Sequence, residues 1–511
     1  MTIRPPARTR PGRDLPAFDL AAVLGRPAAP PAPPQAAGSR PPAPRQQPRR
    51  GYPRPFAGRA PVMPAAPVFR GSTGQAQGLY PWLYRASMPA AGAYLGIDCL
   101  SGGAFACHPV DWLRRGLITN PNLLVTGIPG AGKSATIKAL ATRLAAYGVK
   151  TFVLGDLKNE YAPLARAFGV EPVELGPGLP ARLNPLDAGP LGQHLPSSPV
   201  QLAGRLAEIR RRRISLLAAL AEMRLSRTLT PTEETALSLA IRHATGEASG
   251  ATALTDPTIP QIRDLLRDPD EAMAREMRAV SPRQLREMIR PAADALATMV
   301  AASLSGLFDG PTTVRPDFSA PIQTVDLSRI DSRGDDTVAM TLACVSSWGQ
   351  AAIDEPGGPV RLIIRDELWR ALRIPAMIRK VDSDLRMSRA HGTIQALATH
   401  RLADFETAGA AGTAEAAIAR NLIGSCDVRI CLAQDTEPLA MTRDAIGLTD
   451  TECAHIAAWS AEQIGRSLWK IGRTASHIVQ IVLTPAERQL YWTNQRMSVL
   501  SRPPAAAGSP Q

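Results

Sequence analysis

A glycine-rich loop between an apolar run and an amphipathic segment is the most chemically informative part of the sequence. Residues 122–134 read NLLVTGIPGAGKS, and the last eight of them fit the pattern G-x-x-x-x-G-K-[ST] without departure. Glycines let backbone N–H groups turn inward around phosphate oxygens, and the N-terminus of a following helix favours negative charge. The pattern therefore predicts a phosphate cradle.

The cradle assigns specific roles to its residues. Lys133 is expected to reach the β- and γ-phosphates of a nucleoside triphosphate, and the Ser134 hydroxyl is expected to hold Mg²⁺. The chain has only six lysines among 58 basic residues, which indicates that a compact ammonium is required at position 133, where a planar guanidinium would not fit. The residues expected to line the cradle are Gly127, Ile128, Pro129, Gly130, Ala131, Gly132, Lys133, Ser134 and Ala135.

A second apolar run ends in two acidic residues. Residues 361–369 read RLIIRDELW, so Asp366 and Glu367 follow directly on a predicted buried strand. Nucleotide hydrolysis needs an acid for the metal and a group that activates water. We expect Asp366 to hold the Mg²⁺ hydration shell and Glu367 to polarise the attacking water. Asp326 is the alternative magnesium residue, although no second acid follows it.

Two further features could complete such a site. The strand predicted at 392–399 is followed by His400, and Thr399 and His400 are candidates for sensing the γ-phosphate. Ring ATPases also use an arginine from the neighbouring subunit. Arg386 and Arg389 end the helix before that strand, and either could serve; solvated helix arginines are the alternative interpretation.

The surrounding pattern predicts the elements that must position these residues. Strands are predicted at 122–127, 150–156, 170–175, 321–328, 359–367, 392–399, 428–434 and 477–484, alternating with helices. This alternation favours an α/β fold with a mainly parallel central sheet covered on both sides. Between 198 and 300 the periodicity is helical, with capping signals at Thr230, Thr258 and Ser281. The arginine run 210–213 is interpreted as a solvated helix face rather than a DNA contact.

Charge and composition separate an arm from the body. The net charge is +13, of which +10 lies in residues 1–70, so the other 441 residues carry only +3. Eighteen of the 48 prolines also lie before residue 71, which predicts a disordered arm. The six cysteines form no Cys-x-x-Cys pair, which favours a reducing compartment over a zinc site. No apolar signal core or membrane-span pattern is present, so a cytoplasmic location is expected.

Several longer stretches resemble the conjugative-transfer (TraC-type) ATPases of type IV secretion systems, in the FtsK–HerA superfamily of RecA-like P-loop ATPases. The similar segments extend beyond the P-loop and cover roughly residues 80–497. They are GDLKNEYAPLARAFG, ARLNPLD, LFDGPT, VDLSRID, DELW, AIGLTDTECAHIAAW and GRSLWKIGR with VQIVLTPAERQLYWT. The chain differs from the family in its proline- and arginine-rich arm, which stands where a large N-terminal domain is usual, and in His400, where the family often has glutamine.

Composition and the pattern of elements predict a disordered arm at 1–75, a leading segment and the P-loop half of an ATPase core at 76–197, a helical insertion at 198–305, the second half of the core at 306–497 and a disordered tail at 498–511. The resemblance implies that this core is RecA-like. It also implies ATP and Mg²⁺ as cofactors, a hexameric ring, and membrane transfer-channel components as partners at the inner face of the cell membrane. DNA is a further expected partner. A DNA translocase or coupling protein and a nucleotide-binding scaffold without turnover remain as alternatives.

Overall fold

The computed structural model describes residues 88, 91–193, 195–247, 253–302, 305–314, 316–353, 358–372, 375–406, 413–459, 463–472 and 475–492. The predicted arm at 1–75 and the predicted tail at 498–511 lie outside these residues.

One sheet organises the described chain. It contains eleven strands within the described residues: β1 (Ala93–Asp98), β2 (Ala104–Cys107), β3 (Leu123–Thr126), β4 (Lys150–Asp156), β5 (Val173–Glu174), β6 (Ile322–Asp326), β7 (Arg361–Arg365), β8 (Thr393–Thr399), β9 (Val428–Cys431), β10 (Arg466–Ile471) and β11 (Ala475–Ile481).

The strand order is β2-β1-β11-β10-β9-β3-β8-β7-β4-β6-β5. The seven strands from β9 to β5 are mutually parallel. The four strands from β2 to β10 continue the sheet in antiparallel pairs. The predicted α/β fold with a mainly parallel sheet is therefore confirmed, and the carboxyl ends of the seven parallel strands meet at one edge.

Helices cover both faces of this sheet. In chain order they are α1 (Pro109–Arg114), α2 (Lys133–Ala145), α3 (Ala162–Ala167), α4 (Pro190–Gln193), α5 (Pro199–Leu225), α6 (Pro231–Ala244), α7 (Ile259–Arg267), α8 (Glu271–Glu276), α9 (Pro282–Ala301), α10 (Asp335–Ile353), α11 (Leu368–Leu372), α12 (Pro375–His391), α13 (Ala403–Glu406), α14 (Ala414–Gly424), α15 (Thr436–Ile446), α16 (Asp450–Ala458) and α17 (Pro485–Tyr491). A 3₁₀ turn lies at Asp331–Arg333.

Two hydrophobic cores lie on the two faces of the sheet. Successive strand side chains point to opposite faces, so Leu124 packs in one core while Leu123 and Val125 pack in the other. Strands buried on both faces need continuous apolar runs, which is why β3 reads LLVT. Helix α2 packs in the core with Leu123, whereas the helical insertion α5–α9 contributes to the core with Leu124.

The predicted caps of the helical insertion form with one variation. Thr230 with Glu233 and Thr258 with Gln261 make reciprocal capping boxes at the starts of α6 and α7. At α9 the Ser281 hydroxyl accepts the Gln284 N–H, but the Gln284 side chain accepts the N–H of the preceding residue rather than that of Ser281. These contacts satisfy N–H groups that a helix start leaves unpaired.

The arginine run on α5 is not a solvated face along its whole length. Arg212 and Arg213 are buried, and their guanidinium groups donate to backbone carbonyls of residues 185–187 and to the Asp256 carboxylate. Arg212 also donates to the Ser347 carbonyl, at 2.9 Å. The interpretation of this run as solvated is therefore wrong for these two residues, which fix a loop against the insertion.

Candidate nucleotide site

The predicted phosphate cradle lies at the carboxyl edge of the parallel strands. β3 ends at Thr126, and α2 begins at Lys133 with Gly132 as its N-cap. Gly130 and Gly132 have φ angles of +84° and +99°, a region that favours glycine. A Cβ atom on Gly132 would also lie 2.9 Å from the backbone nitrogen of Gly465, which donates to the Ala131 carbonyl at 3.0 Å. The loop before β10 therefore passes so close to residue 132 that it leaves no room for a side chain there.

The acidic pair lies at the same edge. β7 ends at Arg365, and the strand order places β7 next to β8 and β8 next to β3. Glu367 has a φ angle of +52°, an uncommon conformation for a residue with a side chain. Asp366 Oδ1 accepts the Glu367 N–H at 3.0 Å. Backbone strain that surrounding contacts maintain is typical of functional sites.

Hydrogen bonds join the two halves of the site through His400. The Lys133 ammonium lies 2.7 Å from His400 Nδ1, and His400 Nε2 lies 3.2 Å from Glu367 Oε1. An ammonium can only donate, so Nδ1 accepts and the ring proton of neutral His400 is on Nε2, from which it donates to Glu367. The structure thus brings Lys133, His400 and Glu367 into direct contact.

Burial and neighbouring groups shift the pKa values of three residues at the site. Burial lowers the pKa of Lys133, and the carboxylates of Asp366 and Glu367 oppose that change. Burial raises the pKa of Asp366, and repulsion from Glu367 and Glu160 raises it further. Burial alone would raise the pKa of Glu367, but hydrogen bonds from His400, Lys158 and Trp369 hold it well below its usual range.

The donor set fits a hard divalent cation. Mg²⁺ prefers oxygen ligands and is usually bound through one or two carboxylates together with phosphates. Asp366 experiences repulsion from two neighbouring carboxylates, so a cation there would relieve an unfavourable interaction. Ser134, the second residue of α2 and half-buried, supplies a hydroxyl oxygen next to Lys133.

Three residues that the sequence pattern did not assign to the site contact the acidic pair. Lys158 pairs with Glu367 Oε1, and Trp369 Nε1 donates to Glu367 Oε2 at 2.6 Å. The buried Tyr161 hydroxyl donates to Asp366 Oδ2 at 2.9 Å. Lys158 and Tyr161 follow β4, the strand beside β7. The signal that could identify them is a polar run directly after a buried strand, in the sequence GDLKNEY.

The remaining candidates make no contact with the acidic pair among the hydrogen bonds of the described residues. The Thr399 hydroxyl donates to Asp404 at 2.7 Å. Asp326 ends β6, which β4 separates from β7, and its Oδ1 accepts the Ser328 N–H. Arg386 and Arg389 are exposed at the end of α12 that precedes β8, whereas the cradle lies near the other end of β8. Seven strand residues span about 20 Å, so these arginines are not part of the site of their own chain.

Comparison with known proteins supports the fold. No protein-family model matches the sequence, and no curated protein sequence matches it. VirB4 of Thermoanaerobacter pseudethanolicus is a similar solved structure, with 20% identity, a TM-score of 0.60, and coverage of 79% of this chain and 100% of that one.

A bacterial conjugative coupling protein, TrwB lacking its N-terminal segment, is similar with 12% identity, a TM-score of 0.51, and coverage of 82% and 95%. The plasmid coupling protein TrwB in complex with ADP and Mg²⁺ is similar at 12% identity, a TM-score of 0.50, and coverage of 82% and 94%. These likenesses confirm the predicted RecA-like P-loop fold, and this chain shares that fold with VirB4 and TrwB.

Proposed function

We propose that this protein is a Mg²⁺-dependent ATPase that serves as a motor of a conjugative or type IV secretion-like transfer system. The observation that carries the proposal is the convergence of a P-loop lysine, a strained glutamate and a half-buried aspartate at one edge of a RecA-like sheet. The solved structures that share this fold include a conjugative coupling protein and a VirB4 protein, which supports the assignment to a transfer system.

The residues of the cradle would hold ATP. Backbone N–H groups of the glycine-rich loop and of the start of α2 would surround the phosphates. Lys133 would leave His400 for phosphate oxygens, a stronger, charge-assisted contact. The TrwB structure with ADP and Mg²⁺ supports nucleotide and metal as the cofactors of this fold.

The acidic pair would then act on the metal and on water. Bound Mg²⁺ would neutralise charge that develops on the transferred phosphoryl group. Ser134 and Asp366 would hold that ion. Glu367, kept ionised by its three donors, would accept a hydrogen bond from a water molecule and orient it towards the γ-phosphate. His400, released by Lys133, would lose its contact to the ammonium and so respond to the presence of nucleotide.

A ring would bring an arginine of a neighbouring subunit to the site. Arg386 and Arg389 do not reach the site of their own chain, so either one would act on the nucleotide of a neighbouring subunit, as in hexameric ring ATPases. We propose a hexamer that works with membrane transfer-channel components at the cytoplasmic face of the cell membrane. None of the described helices has the length and apolar character that crossing a bilayer requires.

The likeness to TrwB favours one second candidate, a coupling protein or FtsK–HerA-type translocase that moves DNA. It would use the same nucleotide site, so the two candidates differ in what stimulates turnover. A scaffold that binds nucleotide without hydrolysis is a third possibility, and the intact Glu367 argues against it.

Steady-state ATPase measurements test the proposal. We expect the purified protein to release phosphate from ATP with Mg²⁺ and to lose that activity when EDTA removes the metal. Absence of Mg²⁺-dependent turnover under all assembly conditions, together with tight nucleotide binding, would support the scaffold. Duplex and single-stranded DNA are added in parallel, and strong stimulation by DNA would favour the translocase.

A further inference from the structure

The loop after β4 links the P-loop helix to the acidic pair. We propose that this loop, residues 156–161, sets the catalytic carboxylates and that Lys158 is the positioning residue of Glu367. The inference rests on the proposed ATPase function and deepens it, because it explains how Glu367 keeps its orientation while the P-loop lysine changes partner.

The loop is held in one conformation by its own contacts. Asp156 accepts the N–H groups of Glu160 and Tyr161 at 2.8 and 2.6 Å. Asn159 has a φ angle of +55°, which asparagine tolerates better than most residues. The ordered loop therefore presents Lys158 and Tyr161 at fixed places beside β7.

The loop is also built on the P-loop helix. The buried Lys138 ammonium of α2 lies 3.4 Å from Glu160 Oε2 and 5.3 Å from the centre of the Tyr161 ring. Tyr161 in turn donates to Asp366. Packed elements that share buried polar contacts move together, so the loop couples the position of α2 to that of the acidic pair.

Glu367 receives three donors, and they are not equivalent. Lys158 and His400 both donate to Oε1, and Trp369 donates to Oε2. A carboxylate offers about four acceptor positions, so one position on Oε2 stays open for a water molecule.

Only one of these three donors ties Glu367 to the segment after another strand without itself contacting Lys133. His400 contacts Lys133, which must change partner when phosphate binds. Trp369 lies two residues after Glu367 and moves with the same turn. Lys158 is anchored through its own loop, so its contact fixes Oε1 and leaves Oε2 free to accept water. Without the Lys158 contact the Glu367 side chain could rotate. Even a small displacement of a catalytic group lowers the reaction rate substantially.

A set of lysine variants tests this role. In Lys158→Met we expect kcat to fall by about 10- to 100-fold. The Kd for a non-hydrolysable ATP analogue with Mg²⁺ is expected to change by less than about threefold, since the interaction lost acts on turnover and not on ground-state binding. Lys158→Arg keeps the charge and is expected to recover part of the turnover. Lys150→Met, at the opposite end of β4, is the matched control and should behave as the wild type.

The outcomes separate this inference from the proposed function. If the wild type hydrolyses ATP and Glu367→Gln abolishes turnover, but Lys158→Met turns over at the wild-type rate, the positioning role is refuted and the ATPase assignment stands. Equal losses of binding and turnover that arginine does not rescue would also refute it, because they indicate a structural role. If the wild type shows no turnover, the proposed function fails first.

Discussion

Replacing Glu367 with Gln is expected to reduce the rate of ATP hydrolysis by about 100- to 10,000-fold, the range typical for removal of a group that activates water. The amide keeps the size of the side chain but lacks the negative charge that three donors now stabilise. The cradle, the metal residues and Lys133 are unchanged, so the Kd for ATP with Mg²⁺ should stay close to that of the wild type. Single-turnover hydrolysis and equilibrium binding measure the two quantities separately.

Asp326→Asn is the matched control for this variant. Asp326 is also a carboxylate at the end of a parallel strand, but it lies two strands away from β7. We expect its replacement to leave turnover near the wild-type value. Full activity in Glu367→Gln, or a larger loss in Asp326→Asn, would contradict the assignment of the acidic pair.

Replacing Lys133 with Met is expected to remove nucleotide-dependent stabilisation without destabilising the nucleotide-free protein. Burial lowers the pKa of Lys133, so the folded state disfavours its charged form relative to the unfolded state. Methionine fills a similar volume without that desolvation penalty. A ligand at 100 times its Kd stabilises a protein by about 2.7 kcal/mol, and Lys133→Met should lose most of this gain.

Thermal unfolding with and without the Mg²⁺ complex of a non-hydrolysable ATP analogue measures both effects. Lys133→Arg keeps the charge, and we expect it not to restore the shift, because a planar guanidinium differs in shape from an ammonium. Lys150→Met serves again as the control for loss of one positive charge. An unchanged nucleotide-dependent shift in Lys133→Met would show that the P-loop does not hold the phosphates.

The parts of the site that the sequence predicts are those encoded locally. The P-loop is a contiguous motif, so the positions of Lys133 and Ser134 follow from the sequence alone. Asp366 and Glu367 could be predicted because the ends of parallel strands share one edge of the sheet. Which strands are neighbours is a non-local property, and the adjacency of β4 and β7 is what brings Lys158 and Tyr161 to the acidic pair.

Polar residues that find buried partners far along the chain were also hard to predict. The sequence pattern predicts no strand at Arg466–Ile471, because Ser467 and Lys470 interrupt the apolar run. Both are buried, and the Lys470 ammonium reaches the Glu452 carboxylate at 3.2 Å. Arg212 and Arg213 are a second case, since their acceptors are carbonyls and a carboxylate distant in sequence. Proposed domain boundaries at 75, 197, 305 and 497 remain predictions.

A structure determined with Mg²⁺ and a non-hydrolysable ATP analogue would show whether Lys133, Ser134 and Asp366 converge on one nucleotide and its metal. We predict phosphates surrounded by residues 127–135, Mg²⁺ held by Ser134 and Asp366, and the Lys133 ammonium on phosphate oxygens instead of on His400. Nucleotide bound at another edge of the sheet, or at this edge with Lys133 still on His400 and the metal away from Asp366, would contradict the account.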